Sequence, residues 1–161
     1  MTISGVGGRL VDGVSMSLFR LVNSDGIDVL QRTMEFAGQR HALITHNISN
    51  LTTPNFQPVD VSPRSFQAAM QKAVEARREE HPGVQQMPLR PRDTREMTFH
   101  REGMTLHPRA AEHNIMFHDR NDRDLERMMQ DLAENSMVYR QMSEMLRNRY
   151  ALMTAAIRSK G

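Results

Sequence analysis

The chain has no cysteine and no tryptophan. The missing cysteine excludes a disulfide framework, a thiolate metal site and a cysteine nucleophile together. Aromatic residues fill 5% of the 161 positions and hydrophobic residues 39%, so a compact core would be thin for a chain of about one domain's length. No run of 18 apolar residues occurs, and the first 25 positions lack both a charged leader and a continuous apolar stretch. The expectation is a soluble chain with no spanning helix and no general secretory signal. An excess of one charge is missing too. The 21 basic and 19 acidic residues leave a formal net charge of +2, and the pI near 9.5 reflects nineteen arginines that keep their protons, not a strong positive field.

Catalytic signatures are also absent. Four of the seven histidines, His100, His107, His113 and His118, lie five to seven residues apart in a proline-broken stretch, which provides no template for a metal shell. His41 and His46, five apart on one helix, cannot share a face. No serine-nucleophile motif, phosphate-binding glycine loop or paired carboxylate site appears, so neither an enzyme nor a cofactor is expected. Nucleic acid is the other partner class to weigh, because Arg77, Arg78, Arg90, Arg92, Arg95, Arg101 and Arg109 make a basic middle. Glu75, Glu79, Glu80, Asp93, Glu96 and Glu102 offset most of that charge, and no aromatic stacking platform accompanies it. The expectation is no nucleic-acid partner.

What the chain does have is two apolar stripes at alternating three- and four-residue steps. The first reads Ile27, Leu30, Met34, Ala37, His41, Ile44 and Ile48; the second reads Leu125, Met128, Leu132, Asn135, Tyr139, Met142, Leu146, Arg149, Met153 and Ala156. A heptad stripe puts a narrow seam on a helix, and that seam needs another helix to cover it. On this spacing His41 is a seam or seam-edge histidine. Asn135 in a seam would penalise wrong registers through its amide; equally, the packing surface could drift around the helix at that point. Arg149 can extend its charged head from the seam's edge to water.

Punctuation sets the element boundaries. Residues 1–25 read as a flexible N-terminal segment, with Ser24 and Asp25 as capping oxygens for a helix over about 26–50 and Asp28 in its first turn. Pro54 ends that helix, and Thr52 to Pro58 form an extended turn. Ser62 followed by Pro63 reads as an N-cap and first helical residue, with Phe66, Ala69, Met70, Ala73, Val74 and Arg77 on one face of a short helix. Residues 79–119, rich in proline, arginine and histidine, read as an irregular and mobile surface segment, with a short strand or two within Met97–Leu106. Residues 120–161 form a long helix capped by Asn121, about 55 Å in length. Six of its residues are methionines, at 128, 129, 137, 142, 145 and 153, whose adaptable side chains suit an interface. The fold class is therefore mainly α. Residues 26–78 supply helix, turn and short helix, and the long N- and C-terminal helices pair like a coiled coil around a poorly ordered middle.

The run His46-Asn47-Ile48-Ser49-Asn50-Leu51-Thr52-Thr53-Pro54-Asn55-Phe56 resembles the N-terminal signature of bacterial flagellar basal-body rod proteins. In that family a helix ending Asn-Ile-Ala-Asn leads into Asn-Thr-Pro-Gly-Tyr. The far end agrees. Asp124-Leu125-Glu126-Arg127-Met128, then Leu132-Ala133-Glu134-Asn135-Ser136 and Tyr139, is similar to the C-terminal helix of the proximal rod type. Asp60, Phe66 and Met70 match the looser pattern after the turn. The chain departs at Asn55, Phe56 and Gln57, where the family has Gly-Tyr-Lys, and at Arg123, where it prefers valine. Asparagine tolerates the left-handed backbone that the glycine would adopt.

The resemblance implies a structural subunit of the proximal rod, not an enzyme. Its helices would assemble helically into a hollow axial tube that transmits torque and links the membrane ring and export gate to the distal rod. Its partners would be other copies of itself, other rod proteins, and the ring and gate components. The chain would reach the periplasmic rod through the flagellar type III export channel. The stripes would form the subunit interface, while Asn47, Asn50, Thr53, Pro54 and Phe56 would shape the helix exit. From the residues themselves, a free-standing helical adaptor or chaperone and a basic nucleic-acid binder remain the alternatives.

Overall fold

Gly26 precedes the first helix of this chain and Pro63 opens the second. A computed structural model describes residues 26–80, 88–110 and 121–158, without the side chains of 121–124 and 156. The flexible segment 1–25 with its capping residues Ser24 and Asp25, the histidines at 113 and 118, and the side chains of Arg123 and Ala156 all lie outside the described residues.

Helix α1 spans Ile27–Asn50. Its N-cap position is Gly26, with φ 92°. The chain enters the helix through a backbone conformation that glycine adopts freely and L-residues avoid. After the turn, the two-residue strand β1 (Val59–Asp60) leads to helix α2 (Pro63–Glu80). Ser62 caps α2 as the sequence indicates: its Oγ accepts the Ser65 N–H at 3.2 Å. The buried face of α2 is Phe66, Ala69, Met70, Ala73, Val74 and Arg77, the six positions that the spacing selects.

The middle of the chain is irregular apart from short strands. Strands β2 (Met97–Phe99) and β3 (Met104–Leu106) form an antiparallel hairpin, with Met97 opposite Leu106 and Phe99 opposite Met104. Strand β4 (Arg109–Ala110) pairs antiparallel with β1, Val59 opposite Ala110. Helix α3 covers Asn121–Arg158, 38 residues, so Asn121 is its first helical residue instead of its cap. At 1.5 Å per residue it runs about 57 Å against about 36 Å for α1.

The core forms where α1, α2 and the hairpin meet. Phe36 of α1 stacks on Phe66 of α2 with ring centroids 4.3 Å apart and planes 9° off parallel. Four methionines, Met70, Met97, Met104 and Met142, complete the buried cluster with Val29, Leu30, Val61, Val74 and Leu89. Their unbranched thioethers fill the uneven gaps left between helices and a short hairpin. Among the described residues Met142 is the one α3 residue in that fully buried cluster; Val138, Met145 and Leu146 pack half-exposed against it.

Candidate assembly interface

Helix α3 lies antiparallel along α1. Gln31 Nε2 donates to the Tyr150 hydroxyl at 3.1 Å, Ser143 Oγ to Met34 Sδ at 3.4 Å, and Asn135 Nδ2 to the Ala37 carbonyl at 2.8 Å. Arg40 stands 3.8 Å from Asp131 at the next step along. Residue numbers rise along one helix as they fall along the other. Small side chains allow the close approach: beside Ala37, a Cβ built on Gly38 would lie 3.6 Å from the Tyr139 ring.

The C-terminal stripe divides into its two heptad rows. Asn135 and Met142 are buried at 5% and 2% exposure, with Met128 and Arg149 half-buried in the same row. The other row is Leu125, Leu132, Tyr139, Leu146 and Met153. Leu132 and Leu146 are half-buried, whereas Leu125, Tyr139 and Met153 are 39%, 43% and 50% exposed. Within the chain α1 buries residues of the first row and leaves these three of the second exposed. Asn135 does sit in the seam, and its amide finds a backbone carbonyl. That carbonyl fixes where along α1 the residue must lie. The six methionines divide too: Met142 is buried, Met128 and Met145 half-buried, and Met129, Met137 and Met153 exposed.

The N-terminal stripe shifts in another way. Leu30, Ala37 and Ile44 are buried; Ile27, Met34 and Ile48 are half-buried; His41 is exposed, so it is not a seam residue within the chain. In their place the helix buries Val29, Thr33, Phe36, Arg40 and Asn47. Two partners explain the broader arc, because α3 lies on one side of α1 and the α2–hairpin core on the other. A heptad reading anticipates a single covering helix and a single narrow seam.

Three of those buried residues are polar, and each has a specific partner. Thr33 Oγ1 donates to the Val29 carbonyl at 2.7 Å. Arg40 binds Asp60 through two nitrogens, Nε to Oδ1 at 3.0 Å and a terminal nitrogen to Oδ2 at 2.7 Å. Asn47 grips both sides of one residue: its Nδ2 donates to the Val59 carbonyl at 2.7 Å, and its Oδ1 accepts the Val59 N–H at 3.2 Å. Together Arg40 and Asn47 hold β1 against α1.

The family-like turn lies between these two ties. Asn50 Nδ2 donates to the His46 carbonyl at 2.8 Å, and backbone bonds run from Thr53 N–H to Asn50 O and from Phe56 N–H to Thr53 O. Thr53 and Pro54 are exposed, while Phe56 is half-buried and meets the His46 ring edge-on at 5.8 Å. Asn55 has φ 61°, the left-handed backbone expected of the residue replacing glycine.

A row of polar residues that the apolar pattern passes over fixes the hairpin. The Arg32 guanidinium donates to the carbonyls of Gly103, His100 at 2.7 Å and Arg101 at 3.2 Å. Glu35 Oε1 accepts the Met104 N–H at 2.9 Å, and Gln39 Nε2 donates to the Met104 carbonyl at 3.0 Å. Residues 32, 35 and 39 form one ridge of α1, and that polar i, i+3, i+7 spacing is the signal available in the sequence.

Among the described residues no helix is long and apolar enough to cross a membrane, and no group of three or more histidine or carboxylate side chains could hold a metal ion. The chain matches no family model, no curated protein and no solved structure.

Proposed function

We propose that the chain is a structural subunit of the flagellar basal-body rod, of the proximal rod type, which assembles with other copies of itself and with other rod proteins. On this reading it leaves the cytoplasm by flagellar type III export, takes its place in the periplasmic rod, transmits torque, and bridges the membrane ring and export gate to the distal rod. The motifs flanking both helices support it. The observation that carries it is the half-covered C-terminal seam: a regular heptad row on α3, with Leu125, Tyr139 and Met153 exposed beside the row that α1 buries. An apolar row of that period suits a further helix.

The test places charge on the exposed row alone. Leu125→Asp with Tyr139→Asp and Met153→Asp should leave the isolated chain helical by circular dichroism, because each side chain is already 39% or more exposed and a carboxylate there can reach water. In cells, the same variant should abolish swimming and rod assembly. A folded triple variant that swims normally overturns the proposal, as does a wild-type chain that forms a stable, closed helical dimer in solution.

A further inference from the structure

Between Pro88 and Ala110 the chain carries Arg90, Arg92, Arg95, Arg101 and Arg109 against Asp93, Glu96 and Glu102. Five arginines against three carboxylates leave a positive excess in this stretch. Two of the carboxylates bond backbone instead of arginine: Asp93 Oδ1 accepts the Phe99 N–H at 2.8 Å, and Glu96 Oε2 accepts the Ser62 N–H at 2.9 Å. Two of the three carboxylates are thus tied to backbone amides. All five arginines are exposed, and none forms an ion pair with a described residue.

Local geometry gathers them around the hairpin. Residues 89–92 belong to no helix or strand, with Leu89 buried and Arg90 and Arg92 exposed at alternate positions. The Asp93–Phe99 bond brings Arg92 close to His100 and Arg101. The His107 N–H donates to the Glu96 carbonyl at 2.7 Å, which sets Arg95 beside His107 and near Arg109. His100 and His107 are themselves exposed and meet the hydroxyls of Thr105 and Thr98, each at 2.9 Å.

We infer that this hairpin face is a docking surface for an acidic protein segment, distinct from the helical seam and independent of the rod assignment. Its cations are all arginine, whose planar fork engages carboxylates through paired hydrogen bonds. The one aromatic residue of this stretch, Phe99, is half-buried against the core, which leaves no platform for base stacking. Leu89, Met97 and Met104 are buried, which leaves no apolar wedge to enter a bilayer.

Fluorescence anisotropy on the full chain tests this with three probes: a labelled glutamate-rich peptide, single-stranded DNA, and vesicles of phosphatidylglycerol and phosphatidylcholine. The peptide should bind most tightly and weaken as salt shortens the screening length. The variant Arg92→Gln/Arg95→Gln/Arg101→Gln should lose about tenfold in peptide affinity. The control Arg140→Gln/Arg147→Gln/Arg158→Gln removes the same charge from exposed positions of α3 and should stay within about twofold of wild type. Equal losses in both variants, absence of peptide binding, or tighter binding to DNA or vesicles overturns the inference.

Discussion

Arg40 is a charge that this fold buries and pairs. It is 9% exposed, bidentate to Asp60, and within 3.8 Å of Asp131 on α3. One guanidinium therefore faces two carboxylates. Burial raises the Asp131 pKa above the ordinary carboxylate value, and its other neighbours oppose one another: Arg40 and Arg127 lower it while Asp60 and Glu134 raise it. A raised folded-state pKa means that ionised Asp131 opposes folding. Stability from this group is present below its unfolded pKa and is lost as pH rises through the folded one. Asp131→Asn should therefore stabilise the chain at pH 7, and the gain should disappear in acid below the unfolded carboxylate pKa; urea unfolding at both pH values checks this. Gly38 provides a second test at the same scale. A Cβ there would make an ordinary contact with Tyr139, so Gly38→Ala should gain about 0.5–1 kcal/mol from reduced unfolded-state freedom, measured by thermal melting.

Among the elements, the hairpin depends most on its neighbour. A lone two-stranded hairpin is marginal in water, and this one has strands of three residues. Its methionines enter the core while Arg32, Glu35 and Gln39 bind its turn from α1. Arg32→Ala strips three carbonyls of their donor at once. Hydrogen exchange should then accelerate at residues 97–106 well before α1 and α2 open, a local unlatching of the hairpin. Uniform acceleration across the chain would contradict the latch. The turn before β1 and the cap of α2 could be read from the sequence because Pro54, Asn55, Ser62 and Pro63 act on their own backbone or on residues within three positions. The α1 ridge escaped that reading because its partners lie about 70 residues away.

At the scale of the molecule, a small methionine-rich core joins α1, α2 and the hairpin, while α3 attaches along one side and leaves apolar side chains in solvent. Inner and outer rows should therefore respond differently to charge. Leu30 is fully buried, so Leu30→Asp places an unpaired carboxylate in the core and should cost several kcal/mol, on the order of the chain's whole stability. Circular dichroism of the isolated variant should show the loss of the folded state. Leu125→Asp should show none, because that position is exposed before any partner arrives.

The sequence by itself determined the three helices, where each begins to within a residue, the buried face of α2, and the pairing of the two long helices. Apolar period, capping and proline geometry are local, and a single helix expresses them before it meets anything. Only the tertiary structure decided which row of each stripe is covered, that His41 faces water while Arg40 and Asn47 go inside, and that Asn135 bonds the Ala37 carbonyl. Those outcomes depend on α1 having two neighbours on different sides. A polar side chain is buried where the fold brings it a partner, and for Arg40, Asn47 and Asn135 those partners lie 12 to 98 residues away.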